Sequence, residues 1–268
     1  MDQPLFRLSA NDPIEQPDFV TALARGLAVI RAFGEGRADL SIADVARCTG
    51  LSRAAARRCL HTLSVLGYAG GADGKYSLTP RILALGYAYL GSTPVARVAQ
   101  PILERVAERL HESSSLAVLD GHDIVYVARA ATRRILSIGL SVGSRLPADC
   151  TSMGRVLLAF ADDPERGRFL ARVKLVRHTP RTIVDKHELR AELDRVRTAG
   201  YAMVDQELEQ GLRSLAVPVW RHDRVVVAAV NVGVHAGRVD PKTLARDYLP
   251  VLREAAAEIG LAIGHAIS

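Results

Sequence analysis

The chain of 268 residues contains few cysteines and no cysteine pair at metal-binding spacing. Cys48, Cys59 and Cys150 are an odd number of thiols, and no two of them form a CxxC pair. The eight histidines contain no HExxH or H-x3-H pairing. Because a disulfide framework needs paired cysteines and a zinc site needs clustered ligands, we expect a reduced, intracellular protein with no metal site and no cofactor.

Long apolar runs are also absent. The first nineteen residues, MDQPLFRLSANDPIEQPDF, are polar and contain three prolines, and they lack the apolar segment of a signal peptide. No run elsewhere reaches the ~20 apolar residues that cross a bilayer. We therefore expect a soluble, cytoplasmic protein without a membrane partner, in which residues 1–17 form a flexible tail.

The composition that remains is globular and mildly basic. Hydrophobic residues make up 49% of the chain and charged residues 24%, and the length is sufficient for two domains. The net charge is +6 at pH 7. This excess is compatible with a nucleic-acid partner, although the total alone does not establish one.

One short segment, LSRAAARRCLHTL at residues 51–63, contains three arginines and a histidine but no acidic residue. An exposed helix usually carries both signs of charge. Ser41 and Asp44 form a capping-box pattern for the helix before it, a glycine separates the two helices, and Ser52 can cap the second. YAGGADGKYSL then predicts a β-hairpin, so the order of elements over residues 18–79 predicts a winged helix-turn-helix.

The second helix of such a motif lies in the major groove of DNA. Arg53, Arg57 and His61 are four residues apart and therefore share one face of the predicted helix, while Lys75 in the hairpin can reach an adjacent phosphate. The alternative is an ordinary solvated helix, but the helix-turn-helix spacing and the hairpin favour DNA. The predicted DNA-binding residues are Ser52, Arg53, Ala54, Arg57, Arg58, His61 and Lys75.

Residues 80–100 predict a linker helix, with Pro94 and Pro101 as interruptions of the helical region. Tyr87 and Tyr89 lie among apolar residues that surround the whole circumference of this helix. A helix of this kind needs an apolar partner, and we expect a second copy of the chain to supply it. Burial within one chain is the alternative.

Residues 101–268 contain grouped strands, then helices, then strands again. This order predicts an α+β domain around an antiparallel sheet. ILSIGLSVGSRLP predicts a third strand after the first hairpin, and TSMGRVLLAFA opens a helix. DPKTLARDYLPVLREAAAEIGLAIGHAI predicts a closing helix, with Asp240 as its cap and a kink at Pro250.

Two motifs invite a catalytic interpretation, in which the domain is an enzyme. GLSVG matches the G-x-S-x-G of hydrolases, but Ser141 lies in a strand-like run rather than in a strand–turn–helix elbow. VDQELEQG places Asp205, Glu207 and Glu209 at strand alternation, as paired carboxylates or as a solvated strand edge. Because no nucleophile–base set accompanies either motif, we expect a binding domain instead of an enzyme.

Several segments together resemble a known family. They are LARGLAVIRAF, LSIADVARCTGLSRAAARRCLHTLSVLGY, GSRLPADCTSMGRVLLA, HTPRTI, VRTAGYAMVDQELEQGLRSLAVPV and AAVNVGV. The chain from about Phe19 onward resembles the IclR family of bacterial transcriptional regulators, most of all the members that control protocatechuate, 4-hydroxybenzoate and β-ketoadipate catabolism. The resemblance implies an N-terminal winged helix-turn-helix, a dimerising linker helix and a C-terminal GAF-like effector domain.

The resemblance also implies where a small molecule binds. The family holds it over the C-terminal sheet, closed by the segment that matches DCTSMGRV, where a helix start offers free backbone N–H groups to a carboxylate. Gly154 would let the ligand approach the backbone. Arg134, which enters the predicted third strand, is the first choice of countercharge, ahead of Arg129, Arg133 and Arg145. A solvated loop charge is the alternative for each of these arginines. The predicted effector-binding residues are Arg134, Cys150, Thr151, Ser152, Met153, Gly154, Asp205, Ser214 and Asn231.

These features predict a ligand-responsive transcriptional regulator of an aromatic-acid catabolic operon. We expect a homodimer or a homotetramer that binds a palindromic operator in double-stranded DNA. The expected effector is a small aromatic or dicarboxylic acid, whose binding shifts the linker between two arrangements. The alternatives are an enzyme that acts on a small carboxylate through the C-terminal domain and an architectural DNA-binding protein without a ligand.

Overall fold

The structure is a computed structural model, and the residues that it describes are 18–34, 37–92, 94–132 and 140–266. The predicted tail at residues 1–17 lies outside these ranges, as do Arg133 and Arg134. The chain divides into two compact units, Met1–Tyr89 and Leu90–Ser268. In the described ranges, no helix combines the length and the apolar character needed to cross a bilayer.

The first unit has the three helices and the hairpin that the sequence predicts, so the winged helix-turn-helix is confirmed. Its strands are antiparallel and lie in the order β1-β3-β2. Val29, Val45, Ala56 and Leu60 are fully buried between the helices. The elements are α1 (Thr21–Arg31), β1 (Leu40–Ser41), α2 (Ile42–Thr49), α3 (Arg53–Val65), β2 (Ala69–Gly70) and β3 (Lys75–Leu78).

Local hydrogen bonds explain where the helices of this motif begin and end. The Asp44 N–H donates to the Ser41 hydroxyl at 3.2 Å, and the Ser41 N–H donates to the Asp44 carboxylate at 3.1 Å, which is the predicted capping box. Gly50 ends α2 in the left-handed region with φ of 72°. The Ala55 N–H donates to the hydroxyl of Ser52 at 3.2 Å and so caps α3.

Two helices follow the hairpin, after a 3-10 turn at Pro80–Ile82. They are α4 (Leu83–Ser92) and α5 (Pro94–Leu110). Pro101 lies inside α5 and does not interrupt it, which corrects the prediction. The reason is its exposed position, where water can satisfy the carbonyl that receives no hydrogen bond from a proline.

The second unit is built on a six-stranded sheet in the order β6-β5-β4-β9-β8-β7, with every neighbouring pair antiparallel in the described ranges. This confirms the α+β class. The strands are β4 (Ser113–Asp120), β5 (Asp123–Ala130), β6 (Arg145–Pro147), β7 (Ala202–Asp205), β8 (Leu212–Trp220) and β9 (Val226–His235).

Helices cover both faces of this sheet. Val217 and Val230 pack with α5 and the last helix on one face, whereas Ala216 and Ala229, which alternate with them along the strands, pack with three helices on the other. The helices after α5 are α6 (Ser152–Phe160), α7 (Asp163–Arg172), α8 (Lys186–Ala199), α9 (Pro241–Thr243) and α10 (Leu249–Ala266). The sequence prediction did not include α7.

Two predicted elements differ in detail. In the described part of the predicted third strand, β6 begins at Arg145 and residues 140–144 form a turn, whereas residues 135–139 of the prediction lie outside the described ranges. The closing helix begins as predicted, with Asp240 capping it. A π-helical turn at Leu244–Tyr248 then precedes Pro250. Such a wide turn is one way in which a helix accommodates a proline that donates no hydrogen bond.

Candidate DNA-binding surface and effector site

The exposed face of α3 carries the basic side chains that the sequence predicts for DNA binding. Ala55, Ala56, Leu60 and Leu63 of this helix are buried and form its core side. Helical periodicity therefore turns the remaining positions towards solvent. The exposed residues include Ser52, Arg53, Ala54, Arg57, Arg58 and His61, together with Lys75 in β3.

The charge of this surface is uncompensated. Arg53, Arg57 and Arg58 form no ion pair within 4.0 Å with any carboxylate of the described residues. Arg47 on α2, in contrast, pairs with Asp44 at 2.5 Å. An exposed helix with unpaired arginines is suited to phosphate and base-edge contacts.

A cavity in the second unit is formed partly by a row of polar residues across the sheet. Arg129 of β5 is paired with Ser115 of β4, and Ser115 is paired with Asn231 of β9. Because paired residues on neighbouring strands share a face of the sheet, these three side chains lie side by side. All three line the cavity, and Ser214 of β8 lines it as well.

The start of α6 forms another wall of the cavity. Residues 150–153 line it, as predicted from the helix start. The Thr151 hydroxyl accepts a hydrogen bond from the Gly154 N–H at 3.3 Å. The N–H groups of Ser152 and Met153 belong to the first helical turn, where no helical carbonyl can reach them. This helix start is therefore able to bind an anion.

Four residues that line the cavity each have a buried polar atom with no hydrogen-bond partner among the described residues. These atoms are Arg129 Nε, Ser152 Oγ, Glu209 Oε2 and Asn231 Oδ1. The fifth such atom found in the described ranges, Arg25 Nε, belongs to the first unit. Since an unsatisfied buried polar atom costs about 1–3 kcal/mol, four such atoms on residues that line one cavity make it the candidate site for a polar ligand.

Arg129 supplies the positive charge of the cavity. Its Nη1 donates to the Ser115 hydroxyl at 2.9 Å, whereas its Nε has no partner. Burial lowers the pKa of Arg129 from its usual value, because the surroundings disfavour the charged guanidinium. A carboxylate bound at Nε would offset this desolvation with a charge-assisted hydrogen bond.

Two further side chains of the cavity are neutral at ordinary pH. Burial raises the pKa of Cys150 to about 12 and the pKa of Tyr126 to about 12. The thiolate is the reactive form of cysteine, and it is therefore scarce in this site. Cys150 and Tyr126 contribute to the walls of a binding site and not to nucleophilic chemistry.

A buried ion pair holds the loop at residues 206–211 against α6. Arg155 is only 1% exposed, and its two terminal nitrogens donate to the Glu207 carboxylate at 2.7 and 2.6 Å. Its Nε donates to the backbone carbonyl of Asp149 at 3.0 Å. Glu207 is thus engaged by Arg155, whereas Glu209, two residues later, lines the cavity.

Two predicted effector contacts lie outside the cavity. Gly154 is not among its lining residues, and a Cβ at this position would collide with the backbone of Ala148. The glycine is therefore required by packing at the start of α6. Asp205 accepts a hydrogen bond from Arg213 Nε at 2.9 Å and pairs with Arg181.

The structure describes two of the four predicted arginine countercharges, Arg129 and Arg145. Arg134, the first choice, lies outside the described residues, as does Arg133. Arg145 pairs with Asp120 at 2.5 Å and with Asp123 at 3.2 Å and does not line the cavity. Arg129 is the described arginine that does.

Sequence reasoning missed the cavity position of Glu209 and did not include Arg129 among the predicted effector-binding residues. A signal for Arg129 was available in the apolar strand DIVYVARA. A charged residue that is buried in such a strand needs a polar or charged partner, and a ligand can be that partner. No comparable signal separated Glu209 from Glu207 and Asp205, because all three alternate along one acidic segment.

A second and more open groove lies beside Trp220, with Arg253 and Leu261 on its sides. Its walls are largely apolar, and none of the unpartnered buried polar atoms of the described residues belongs to it. The unpartnered polar atoms therefore favour the cavity at α6, and not this groove, as the candidate site for a polar ligand.

The catalytic motifs do not assemble into an active site. Ser141 lies in a turn before β6, with its hydroxyl 3.4 Å from that of Ser144. Glu207 is occupied by Arg155, and Asp205 is occupied by Arg213. Within the described ranges, no three His, Cys, Asp or Glu residues are grouped to hold a metal ion. The arrangement supports binding and not turnover.

Both units match models of known families. Residues 22–70 match the IclR helix-turn-helix domain, and residues 87–261 match the C-terminal domain of the bacterial transcriptional regulator IclR. The Pca regulon regulatory protein of Pseudomonas putida is 52% identical over 91% of this chain and 84% of its own length. The p-hydroxybenzoate hydroxylase transcriptional activator of Acinetobacter baylyi is 38% identical over 93% of this chain and 94% of its own length.

Solved structures agree with the sequence relatives. An IclR homologue of Microbacterium hydrocarbonoxydans complexed with 4-hydroxybenzoate is 30% identical, with a TM-score of 0.79 over 90% of this chain and 98% of that chain. The matched families and relatives are transcriptional regulators, which disfavours the enzymatic alternative. The chain is a DNA-binding protein that belongs to the IclR family of bacterial transcriptional regulators.

Proposed function

We propose that this protein regulates an operon for aromatic-acid catabolism in the cytoplasm, in response to a small carboxylic acid bound in the cavity at α6. The observation that carries the proposal is the convergence of four unpartnered buried polar atoms, one of them on Arg129. The names of the relatives support the choice of pathway, and the bound 4-hydroxybenzoate of one solved relative supports the choice of ligand class.

The effector carboxylate lies between Arg129 and the start of α6. Arg129 Nε donates one charge-assisted hydrogen bond to it, and the N–H groups of Ser152 and Met153 supply further donors. Asn231 and the Ser152 hydroxyl contact polar groups elsewhere on the effector. Side chains that bound its body are those of Cys150, Thr151, Met153 and Ser214.

The DNA contacts are made by the exposed face of α3 and by Lys75 in the hairpin. Arg53 and Arg57 bind base edges in the major groove, and Lys75 binds a phosphate. Ser52, Ala54, Arg58 and His61 complete the surface.

A homodimer forms through the linker at residues 80–100. Leu83 and Tyr87 on α4 are 71% and 74% exposed in the single chain, which favours an apolar partner for them. A symmetric dimer presents two copies of α3, so the operator has two half-sites related by a two-fold axis. Pairing of such dimers gives the tetramer.

Effector binding shifts the linker between two arrangements with different affinities for the operator. The shift requires the effector to bind one arrangement more tightly, and such coupling is typically about 1–3 kcal/mol.

The test is calorimetric titration of the full chain with protocatechuate, 4-hydroxybenzoate and β-ketoadipate, together with operator footprinting with and without each acid. We expect one of these acids to bind and to change the footprint. A protein that binds its operator but none of these acids would support the architectural alternative instead.

A further inference from the structure

We propose that Glu209 recognises a hydrogen-bond donor on the effector, so that the cavity selects an aromatic acid with a ring hydroxyl over a dicarboxylic acid. The inference rests on the proposed function, because it requires the cavity to be the effector site. It concerns the end of the effector that is remote from the carboxylate at Arg129.

The charges of the cavity favour a ligand with one carboxylate. Among the described lining residues, Arg129 is the cation and Glu209 is the anion, and neither forms an ion pair within 4.0 Å. The single carboxylate of a monocarboxylate neutralises Arg129. Glu209 then remains free to accept a hydrogen bond from another group of the ligand. A second carboxylate on the effector would face Glu209 as a like charge, and such repulsion is strong in a buried site.

Glu209 is also the unpartnered group that acts only as an acceptor, as Arg129 Nε acts only as a donor. The Ser152 hydroxyl rotates to donate or to accept, and the Asn231 amide can present either its oxygen or its nitrogen. An ionised carboxylate accepts only. The unpartnered Oε2 of Glu209 therefore demands a donor from the ligand, whereas Ser152 and Asn231 adapt to what the ligand offers.

The backbone of Glu209 is held in place on both sides. The Leu212 N–H donates to the Glu209 carbonyl at 3.2 Å, and the Gly211 N–H donates to the side-chain oxygen of Gln206 at 3.1 Å. Arg155 clamps Glu207 on the other side. A fixed loop thus presents the Glu209 carboxylate to the cavity, as a recognition group requires.

The experiment compares ligands that differ by a single hydroxyl. Calorimetry of the full wild-type chain at neutral pH measures affinities for benzoate, 4-hydroxybenzoate, protocatechuate and adipate. We expect the better of the two hydroxylated acids to bind at least about tenfold more tightly than benzoate, since a hydrogen bond to a charged group is lost in benzoate. Adipate should bind more weakly than either hydroxylated acid.

Variants then assign the effect to one side chain. Glu209→Gln retains the shape of the side chain and removes its charge. The variant should therefore show a smaller preference for hydroxylated acids over benzoate, and a smaller difference in affinity between adipate and the hydroxylated acids. Glu188→Gln is the matched control, because Glu188 is exposed on α8 and lies outside the cavity. Thermal unfolding of both variants checks that they are folded.

Three results would overturn the proposal. They are equal wild-type affinities for benzoate and both hydroxylated acids, tighter wild-type binding of adipate than of either hydroxylated acid, and an unchanged hydroxyl preference in folded Glu209→Gln. The first two need no variant, so they stand even when the variant fails to fold. If benzoate and the hydroxylated acids bind equally well, the role proposed for Glu209 is contradicted but the proposed function stands. If no acid binds, both proposals are contradicted.

Discussion

Arg129 and Glu209 place opposite charges in one cavity, and each has a buried atom without a hydrogen-bond partner among the described residues. Such atoms are costly in a folded protein unless a ligand or an ordered water satisfies them. The Arg145 guanidinium, also in the second unit, is satisfied by Asp120 and Asp123. This difference between two described arginines of one unit is the reason why we propose Arg129, and not Arg145, as the contact for an effector carboxylate.

Arg129→Ala should weaken effector binding by about 1.5–3 kcal/mol, roughly 10- to 150-fold, because it removes a charge-assisted hydrogen bond to the carboxylate. Calorimetry with the best-binding acid measures the loss, and operator binding without effector should persist. Arg145→Ala is the control and should retain effector affinity. Equal losses in the two variants would contradict the assignment of Arg129.

The neutral groups of the cavity predict a loss of stability at alkaline pH. Burial raises the pKa of Cys150 from 9.0 and that of Tyr126 from 10.0 to about 12 each. Because both pKa values are higher in the folded state, the unfolded state loses these protons first. The stability that they contribute is complete below about pH 9 and is lost as the pH rises towards 12.

Urea unfolding of the wild type and of Cys150→Ala across this pH range checks the prediction. The variant should start less stable at neutral pH, because it loses buried volume. Its stability should then fall less steeply above about pH 9. Parallel pH profiles for the two proteins would show that the thiol does not titrate differently in the folded and unfolded states.

At the scale of elements, two helical glycines make a matched pair. A Cβ on Gly154 in α6 would collide with the Ala148 backbone, whereas a Cβ on Gly167 in α7 meets no atom within 4 Å. Gly154→Ala should therefore destabilise the fold by about 1–3 kcal/mol, and Gly167→Ala should stabilise it by about 0.5–1 kcal/mol through helix propensity. Thermal unfolding measures both, and a neutral Gly154→Ala would show that α6 can move away from Ala148.

The recognition helix α3 makes a separate prediction for specificity. Arg53→Ala and Arg57→Ala should each cost about 1–3 kcal/mol of specific operator binding, because a bidentate contact to a base edge is lost. Lys75→Ala should instead weaken binding to all sequences and reduce the salt slope by about 1. Titrations of operator and random DNA over a range of salt separate the two effects. Arg195→Ala on α8, whose arginine pairs with Glu192, should change neither.

At the scale of the whole molecule, the proposed dimer depends on the apolar surface of the linker. Tyr87→Glu should weaken the dimer, because it places a charge on a surface that the partner copy covers. Light scattering over a range of protein concentrations should show monomers where the wild type is dimeric. Operator affinity should fall with the dimer. A dimeric variant with full operator affinity would place the dimer interface elsewhere.

The elements of the chain were predictable where their signals were local. The polar helix α7 shows the limit, because only Phe169 and Leu170 of its residues are buried and no apolar periodicity marks it. Its cap was nevertheless present in the sequence, where Asp162 accepts a hydrogen bond from the Glu165 N–H at 2.6 Å. A helix that contributes little to the core is therefore detectable by its cap and not by its pattern.

The sequence by itself determined the helix-turn-helix and the basic face of α3. Ser41 with Asp44, the glycine turn and Ser52 act through hydrogen bonds that join residues only a few positions apart. The unpaired arginines follow from the same local reasoning, because no acidic residue occurs within residues 51–63. Because these interactions join residues that are close in sequence, they can be predicted without the tertiary fold.

Only the tertiary structure decided which polar residues line the proposed effector cavity. Arg129 comes from β5, Ser152 from the start of α6 and Glu209 from the loop after β7, and strand pairing and helix packing bring them together. The same packing assigns Gly154 to the contact with Ala148. Whether a polar atom is buried without a partner depends on segments far apart in the chain, and that information is absent from any local pattern.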